Sequence, residues 1–241
     1  MRSETRHQLK QDAFSRATIE AAGKTVHWSV EHRNVLVRVA IALAVFMALG
    51  LGAWYHLSTQ DEKASLVLTQ AVRTLDTPLR APGTPAQPDV PSFETSKERA
   101  EAARKQFQSI VDDYPHTRTA DMARYFLGVT AAGIGDNATA ERWFKEASSQ
   151  GGAEVASLAQ FALASIYAET SRTKDAVNIY QQLIAKPTNS VGKVTAQLQL
   201  AEVYQSNSQP LDAKRLYEEI KKANATNEAG SLAAQKLTEL K

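Results

Sequence analysis

The sequence predicts an all-α protein, a helical repeat array that follows one long apolar segment. Three observations lead there. Seventeen consecutive uncharged residues from Val39 to Tyr55 (VAIALAVFMALGLGAWY) are almost wholly apolar. Beyond residue 94, small, aromatic and apolar residues recur at helical spacings in blocks of 36 or 37. Five of the eight prolines fall between residues 77 and 92, so the stretches on either side are left almost free of helix breakers.

The chain has 241 residues, of which 43% are hydrophobic, 22% charged and 7% aromatic, a balance that excludes a disordered or collagenous chain. With no cysteine, it can hold no disulfide, thiolate zinc site, iron–sulfur cluster or cysteine nucleophile. Residues 1–56 carry seven Lys/Arg against four Asp/Glu, and the remainder carries 21 against 22. The larger part is therefore neutral. It lacks the basic footprint that counterion release requires, and nucleic acid is not an expected partner.

Residues 1–34 form a basic tail of mixed helical character, with Leu9, Phe14, Ile19, Val26 and Trp28 as its larger apolar side chains. Residues 35–56 read as a membrane helix. The 21 residues from Val35 to Tyr55 include only Arg38 as a charge, and at about 1.5 Å per residue they reach across a hydrocarbon layer of about 30 Å. Trp54 and Tyr55 sit where interfacial aromatic anchors belong, and Arg38 can snorkel at the other end. The basic region before the run is too long for a signal peptide, and no small-x-small cleavage site follows Tyr55. Arg2, Arg6, Lys10, Arg16, Lys24, Arg33 and Arg38 precede the run, whereas the twenty residues after it offer only Lys63 and Arg73. The positive-inside rule then places the N-terminus in the cytoplasm and the body outside it, in the periplasm for an inner-membrane protein of a Gram-negative bacterium.

Residues 57–76 continue as a juxtamembrane helix, since Leu57–Leu75 contains neither proline nor glycine. Residues 77–93 read as an extended, semi-rigid proline-rich connector. From residue 94 to 241 the chain repeats itself. Ala103, Ala140, Ala176 and Ala213 are each followed four residues on by Phe107, Phe144, Tyr180 and Tyr217, and three further by Ile110, Ala147, Leu183 and Ile220. A preceding series runs Leu127-Gly128, Leu163-Ala164 and Leu200-Ala201, with Tyr167 and Tyr204 four residues past the leucine.

This pattern resembles the tetratricopeptide repeat, whose signature runs Leu-Gly, Tyr, then Ala and Phe four apart, then a turn-forming Pro. The resemblance implies a solenoid of antiparallel helix pairs, in which Gly128, Ala164 and Ala201 let the first helix approach the second and Ala140, Ala176 and Ala213 do so from the other side. Pro115, Gly151-Gly152 and Pro187 supply helix stops in register, and Asp136 and Thr173 are candidate N-caps. Full pairs then cover Arg118–Ser149, Ala153–Lys186 and Ser190–Asn224. A lone second-type helix precedes them at Glu94–Asp112, and a terminal first-type helix carries Leu237. Whether residues 57–76 dock as the missing first helix is left open by the sequence.

Catalysis has little to draw on. Of five histidines only His116 lies in the repeats, in a turn after Pro115, so neither a Ser-His-Asp arrangement nor a usual metal cluster can be assembled. No glycine-rich phosphate loop occurs, and Asp112-Asp113 and Glu218-Glu219 fall at helix ends or on charged faces. No enzyme activity, cofactor or metal is expected. The resemblance instead implies a partner-binding groove lined by the first helix of each repeat: Met122, Tyr125, Val129 and Ala132, then Leu158, Phe161, Ser165 and Ala168, then Thr195, Leu198, Glu202 and Gln205. The alternative is that Tyr125, Phe161 and Leu198 simply pack against neighbouring helices.

The layout of short basic tail, single membrane helix and exported repeats is also similar to that of the YfgM-type ancillary subunits of the SecYEG translocon, although the proline-rich connector departs from it. That resemblance implies an adaptor holding exported clients or periplasmic chaperones near the translocon. The segment YPHTRTADMARYFLG is similar to repeats of outer-membrane assembly lipoproteins and the Tol-Pal coordinator, but a lipobox cysteine is absent. The competing expectation is a structural spacer in an envelope or cell-division assembly. The partner's identity and the oligomeric state are not encoded in any motif.

Overall fold

The computed structural model describes residues 32–81, 83–84 and 91–240. The reading of the basic tail falls almost entirely outside them. Among the described residues the regular structure is helical: α1 (Arg33–Asp76), α2 (Ser96–Asp113), α3 (Arg118–Gly133), α4 (Asn137–Gln150), α5 (Ala153–Glu169), α6 (Thr173–Ala185), α7 (Lys193–Ser206), α8 (Pro210–Ala223) and α9 (Glu228–Glu239). The chain divides into two units, Met1–His56 and Leu57–Lys241. In the first, every described residue is exposed, including Phe46, Met47, Trp54 and Tyr55. The helix to which they belong is long and apolar enough to cross a membrane.

In the second unit, each of the helices α2 to α9 packs on the next, and α3 also packs on α5. That is the order expected of a stacked array, in which each pair buries its apolar face only against its neighbours. The buried side chains form two clusters. One surrounds Phe144, Tyr180 and Tyr217, and the other surrounds Phe107, Ile110 and Leu127.

The second cluster answers the question left open by the sequence. Ala64 and Ala71, one face of the Leu57–Asp76 part of α1, are wholly buried and belong to it together with Ala103, Phe107 and Ala123. Polar contacts fix this packing. Thr74 Oγ1 donates to Gln106 Oε1 at 2.9 Å, and Arg99 donates to the Thr77 carbonyl at 2.8 Å. The Asp61 carboxylate accepts from Thr119 N at 2.9 Å and from Thr119 Oγ1 at 2.7 Å. Asp61 thus satisfies a donor in the first turn of α3, where intrahelical acceptors are missing.

The described residues at the two ends of the proline-rich stretch pair with each other, and residues 82 and 85–90 of the expected connector lie outside the described residues. Leu79 and Phe93 form an isolated parallel bridge, with Arg80 N donating to Phe93 O at 2.7 Å. Arg80 also donates to Ser92 Oγ at 3.0 Å and forms an ion pair with Glu94. The two ends of the stretch are held together. Proline supplies stiffness locally, but a half-buried Arg80 with several acceptors decides where the ends go.

Within each full pair the turn between helices has one geometry. Gly135, Ser171 and Ser208, at intervals of 36 and 37, all have positive φ (80°, 62° and 58°). The following amide bonds back to the helix each time: Asp136 N to Ala131 O, Arg172 N to Tyr167 O and Gln209 N to Tyr204 O. This is the Schellman arrangement, in which a left-handed residue lets the chain recover the last helix carbonyls. The residue after it starts the next helix. Asp136 caps α4 by accepting from Thr139 N, whereas the cap of α6 is Arg172, with Thr173 as the first helical residue. The cap expected at Thr173 is displaced by one because the turn geometry, common to all three pairs, fixes the starting position regardless of side chain. The third pair begins at Lys193, later than Ser190. Thr188 and Val191 bond to each other across a turn, and the Glu154 carboxylate accepts from Asn189 N and Ser190 N at 3.4 and 2.7 Å. Gly192 is the cap.

Candidate partner-binding face

The residues expected to pack the repeats and those expected to line a groove have different exposures. Ala103, Phe107, Leu127, Gly128, Ala140, Phe144, Leu163, Ala176, Tyr180, Leu200, Ala213 and Tyr217 are all buried. Gly128 shows why size is restricted there. A Cβ on it would lie 2.5 Å from Phe144 Cε1, so the ring occupies the space a side chain would need. Burial pushes the Tyr180 hydroxyl above its ordinary range, and the Tyr217 hydroxyl up to about 12. Tyr180 Oη shares a hydrogen bond with Ser165 Oγ at 3.0 Å.

The groove residues are intermediate. Met122, Tyr125, Val129 and Ala132 on α3, Leu158, Phe161, Ser165 and Ala168 on α5, and Leu198 and Gln205 on α7 are half-buried, while Thr195 and Glu202 on α7 are exposed. Tyr125 lies beside Phe144 with ring centroids 5.7 Å apart, and Phe161 meets Tyr180 edge-on at 5.5 Å. Each ring rests on a buried aromatic of the following helix, Tyr125 also meets Phe126 edge-on at 5.4 Å, and a smaller part of each ring remains exposed. Packing and surface roles are thus shared within one side chain. The exposed portions carry little charge on α3 and α5, and Glu202, hydrogen-bonded to Gln199 at 3.0 Å, brings the first carboxylate on α7.

Two polar clusters stabilise the helices that present this face, and neither follows from the repeat pattern. The Arg124 side chain is buried, donating to Asp121 and Glu146 at 3.0 Å each and to the Pro115 carbonyl at 3.1 Å. Desolvation raises the Asp121 carboxyl even so, and the nearby Asp61 charge adds to the rise, against the lowering effect of Arg124. The Asp-x-x-Arg spacing across one helical turn was the available signal. The second cluster joins α4 to the turn after α5. Arg172 lies over the Tyr167 ring at 3.8 Å, Tyr167 Oη donates to Glu141 at 2.9 Å, and Glu141 takes ion pairs from Lys145 and Arg172. Hydrogen bonds from Lys145 first, then Arg172 and Tyr167, hold the Glu141 carboxyl at about 2.

His116 is exposed, and among the described residues no three His, Asp or Glu side chains converge as a metal site. The arrangement offers contact area and a few polar anchors.

Compared with known proteins, residues 26–241 match the family model for the tetratricopeptide repeat-like domain. No curated protein matches the chain. Among solved structures, the nearly identical TPR-like repeats of a chain assigned as a kinesin light chain in Podosopora anserina superpose with a TM-score of 0.56 at 14% identity, over 74% of this chain and 85% of that one. A single-substitution variant of that protein gives the same score and identity, over 74% and 84%. At such identity the likeness speaks of the fold alone.

Proposed function

Because the chain belongs to the tetratricopeptide repeat-like domain family, whose members mediate protein–protein interactions, we propose that it is a non-catalytic, membrane-anchored adaptor that offers its solenoid to a partner protein or exported polypeptide. The observation that carries this reading is the row of half-buried, partly exposed apolar side chains on successive first helices, Tyr125 on α3, Phe161 on α5 and Leu198 on α7. Supported from behind by Phe144 and Tyr180, the two rings are preorganised, and little side-chain entropy remains to be lost when a partner covers them. The exposed apolar run of α1 supports the anchor, and the basic excess before it supports an N-terminus in the cytoplasm of a bacterial inner-membrane protein. The layout shared with YfgM-type proteins makes the neighbourhood of the Sec translocon the place to look, with translocon subunits, periplasmic chaperones or exported clients as partners.

The test is capture by crosslinking in intact membranes. Truncating a buried anchor often removes about 2 kcal/mol or more of binding. Tyr125→Ala with Phe161→Ala should therefore weaken capture of translocon or chaperone subunits more than tenfold, and Glu202→Ala should have little effect, with circular dichroism confirming an intact fold. Full-strength capture by the folded double variant would move the binding surface to the anchor helix or tail. Recovery of division or secretion-system proteins in place of translocon components would favour the structural spacer.

A further inference from the structure

A second surface lies between α2 and α4, on helices that do not contribute to the α3, α5 and α7 row. There Arg104, Lys105 and Gln108 of α2 face Thr139, Arg142 and Trp143 of α4 across a cleft of about 470 Å³. Arg104, Lys105 and Arg142 are exposed. Among the described residues none of the three has a carboxylate at ion-pair distance, in contrast to Arg80, Arg124, Lys145, Arg172, Arg215 and Lys236. Two acids nearby are engaged in hydrogen bonds, and the Asp136 charge also acts on Arg104 and Arg142 from beyond ion-pair distance. Asp112, in the lining, accepts from Gln108 Nε2 at 2.9 Å. Asp136 is committed to the first turn of α4, accepting from Thr139 N at 3.1 Å. Trp143 is half-buried against the Phe107 cluster, and the Arg142 guanidinium sits 5.1 Å from its ring centroid.

We propose that this cleft is a docking site for a short acidic segment of a partner polypeptide, with carboxylates on Arg104, Lys105 and Arg142 and an apolar side chain against Trp143. Three cations without an ion-pair partner around one hollow are complementary to a run of carboxylates, and the Gln108 and Thr139 side chains beside them suit a peptide backbone. A bilayer surface fits less well. Trp143 is sunk beside Arg142, whereas membrane contact calls for protruding aromatic side chains at the headgroup level. The site does not rest on the proposed groove.

The probe is the peptide Glu-Glu-Glu-Phe-Glu-Glu-Glu carrying fluorescein, titrated by anisotropy against the full chain in neutral detergent, beside its counterpart with Gln for every Glu. The acidic peptide should bind and the Gln peptide should not. Arg104→Glu with Arg142→Glu should weaken binding at least tenfold, and Arg104→Gln with Arg142→Gln should act in the same direction with less risk to folding. Lys97→Glu with Lys193→Glu, an equal change of charge at positions outside the cleft, should have less than a twofold effect, as should Tyr125→Ala with Phe161→Ala. The proposal is overturned if the Lys97 and Lys193 pair weakens binding as much, or if the Gln peptide binds equally. It is also overturned if inorganic phosphate displaces the peptide better than chloride of equal ionic strength. A loss of binding to phosphatidylglycerol vesicles on changing Arg104 and Arg142, with peptide binding unaffected, would overturn it in favour of a lipid contact.

Discussion

Gly128 and Phe144 set the tolerance of the first full pair at the level of single atoms. With the ring 2.5 Å from where a Cβ would stand, Gly128→Leu must displace Phe144, and Ala176→Leu must enlarge a residue with no exposed surface. Each should destabilise by roughly 1 to 3 kcal/mol, while Ser149→Leu, exposed near the end of α4, should be mild. Denaturant melts of the three variants check this ordering, and equal melts would refute the packing register. The leucine-glycine series made Gly128 legible in the sequence. The turn residues were not legible, because serine has no preference for positive φ, and only alignment of Ser171 and Ser208 with Gly135 reveals what they share. A non-glycine residue in the left-handed region costs roughly 1 to 2 kcal/mol, and glycine gives back roughly 0.5 to 1 through the unfolded chain. Ser171→Gly and Ser208→Gly should therefore each raise stability by about 0.5 kcal/mol, and Gly135→Ser should lower it by a similar amount, as seen in thermal midpoints. Unchanged or lowered midpoints for both serine variants would show that their backbone carries no strain.

The three pairs α3 to α8 were legible because period and helix stops agree, although the start of α7 and the cap of α6 lie away from the expected Ser190 and Thr173. For the first helix of the array the helix itself was legible and its docking was not, because the proline-rich insertion breaks the 36/37 register and Leu57–Asp76 lacks a leucine-glycine pair. The sequence trace of its docking is Ala64 and Ala71, seven residues apart on one face, which become meaningful once Phe107 is seen against them. The groove was half legible for a related reason. Spacing identifies the face of α3 and α5 on which Tyr125 and Phe161 lie, but not how much of each ring the next helix covers. The docking of Leu57–Asp76 has a direct test. A fragment spanning 57–241 should melt cooperatively, whereas one spanning 94–241 loses the cover over Phe107 and the Asp61 acceptor at Thr119. The shorter fragment should melt at lower temperature and bind an apolar dye. Identical melting of the two would mean that Ala64 and Ala71 contribute nothing to the fold.

For the molecule as a whole, charge distribution leads to the boldest expectation. A reporter fused after Lys241 should be active only outside the cytoplasm, since the excess of Lys and Arg lies before Val39. Activity in the cytoplasm would reverse the orientation and remove the translocon reading with it. Leu57–Asp76 packs on the Phe107 cluster at one end of the array, and α9 packs on α8 at the other, placing Ala233 in the core. Between these ends, the clasp of Leu79 and Arg80 on Phe93 and Glu94 has a further effect on how such a chain can change. Because the clasp fixes both feet of the intervening segment, its length is decoupled from the stacking of helices, and doubling a closed loop costs only about 0.6 kcal/mol. The segment is therefore a natural port for insertion, where new sequence, an epitope or a whole small domain could be grafted while the register of every repeat stays as it was.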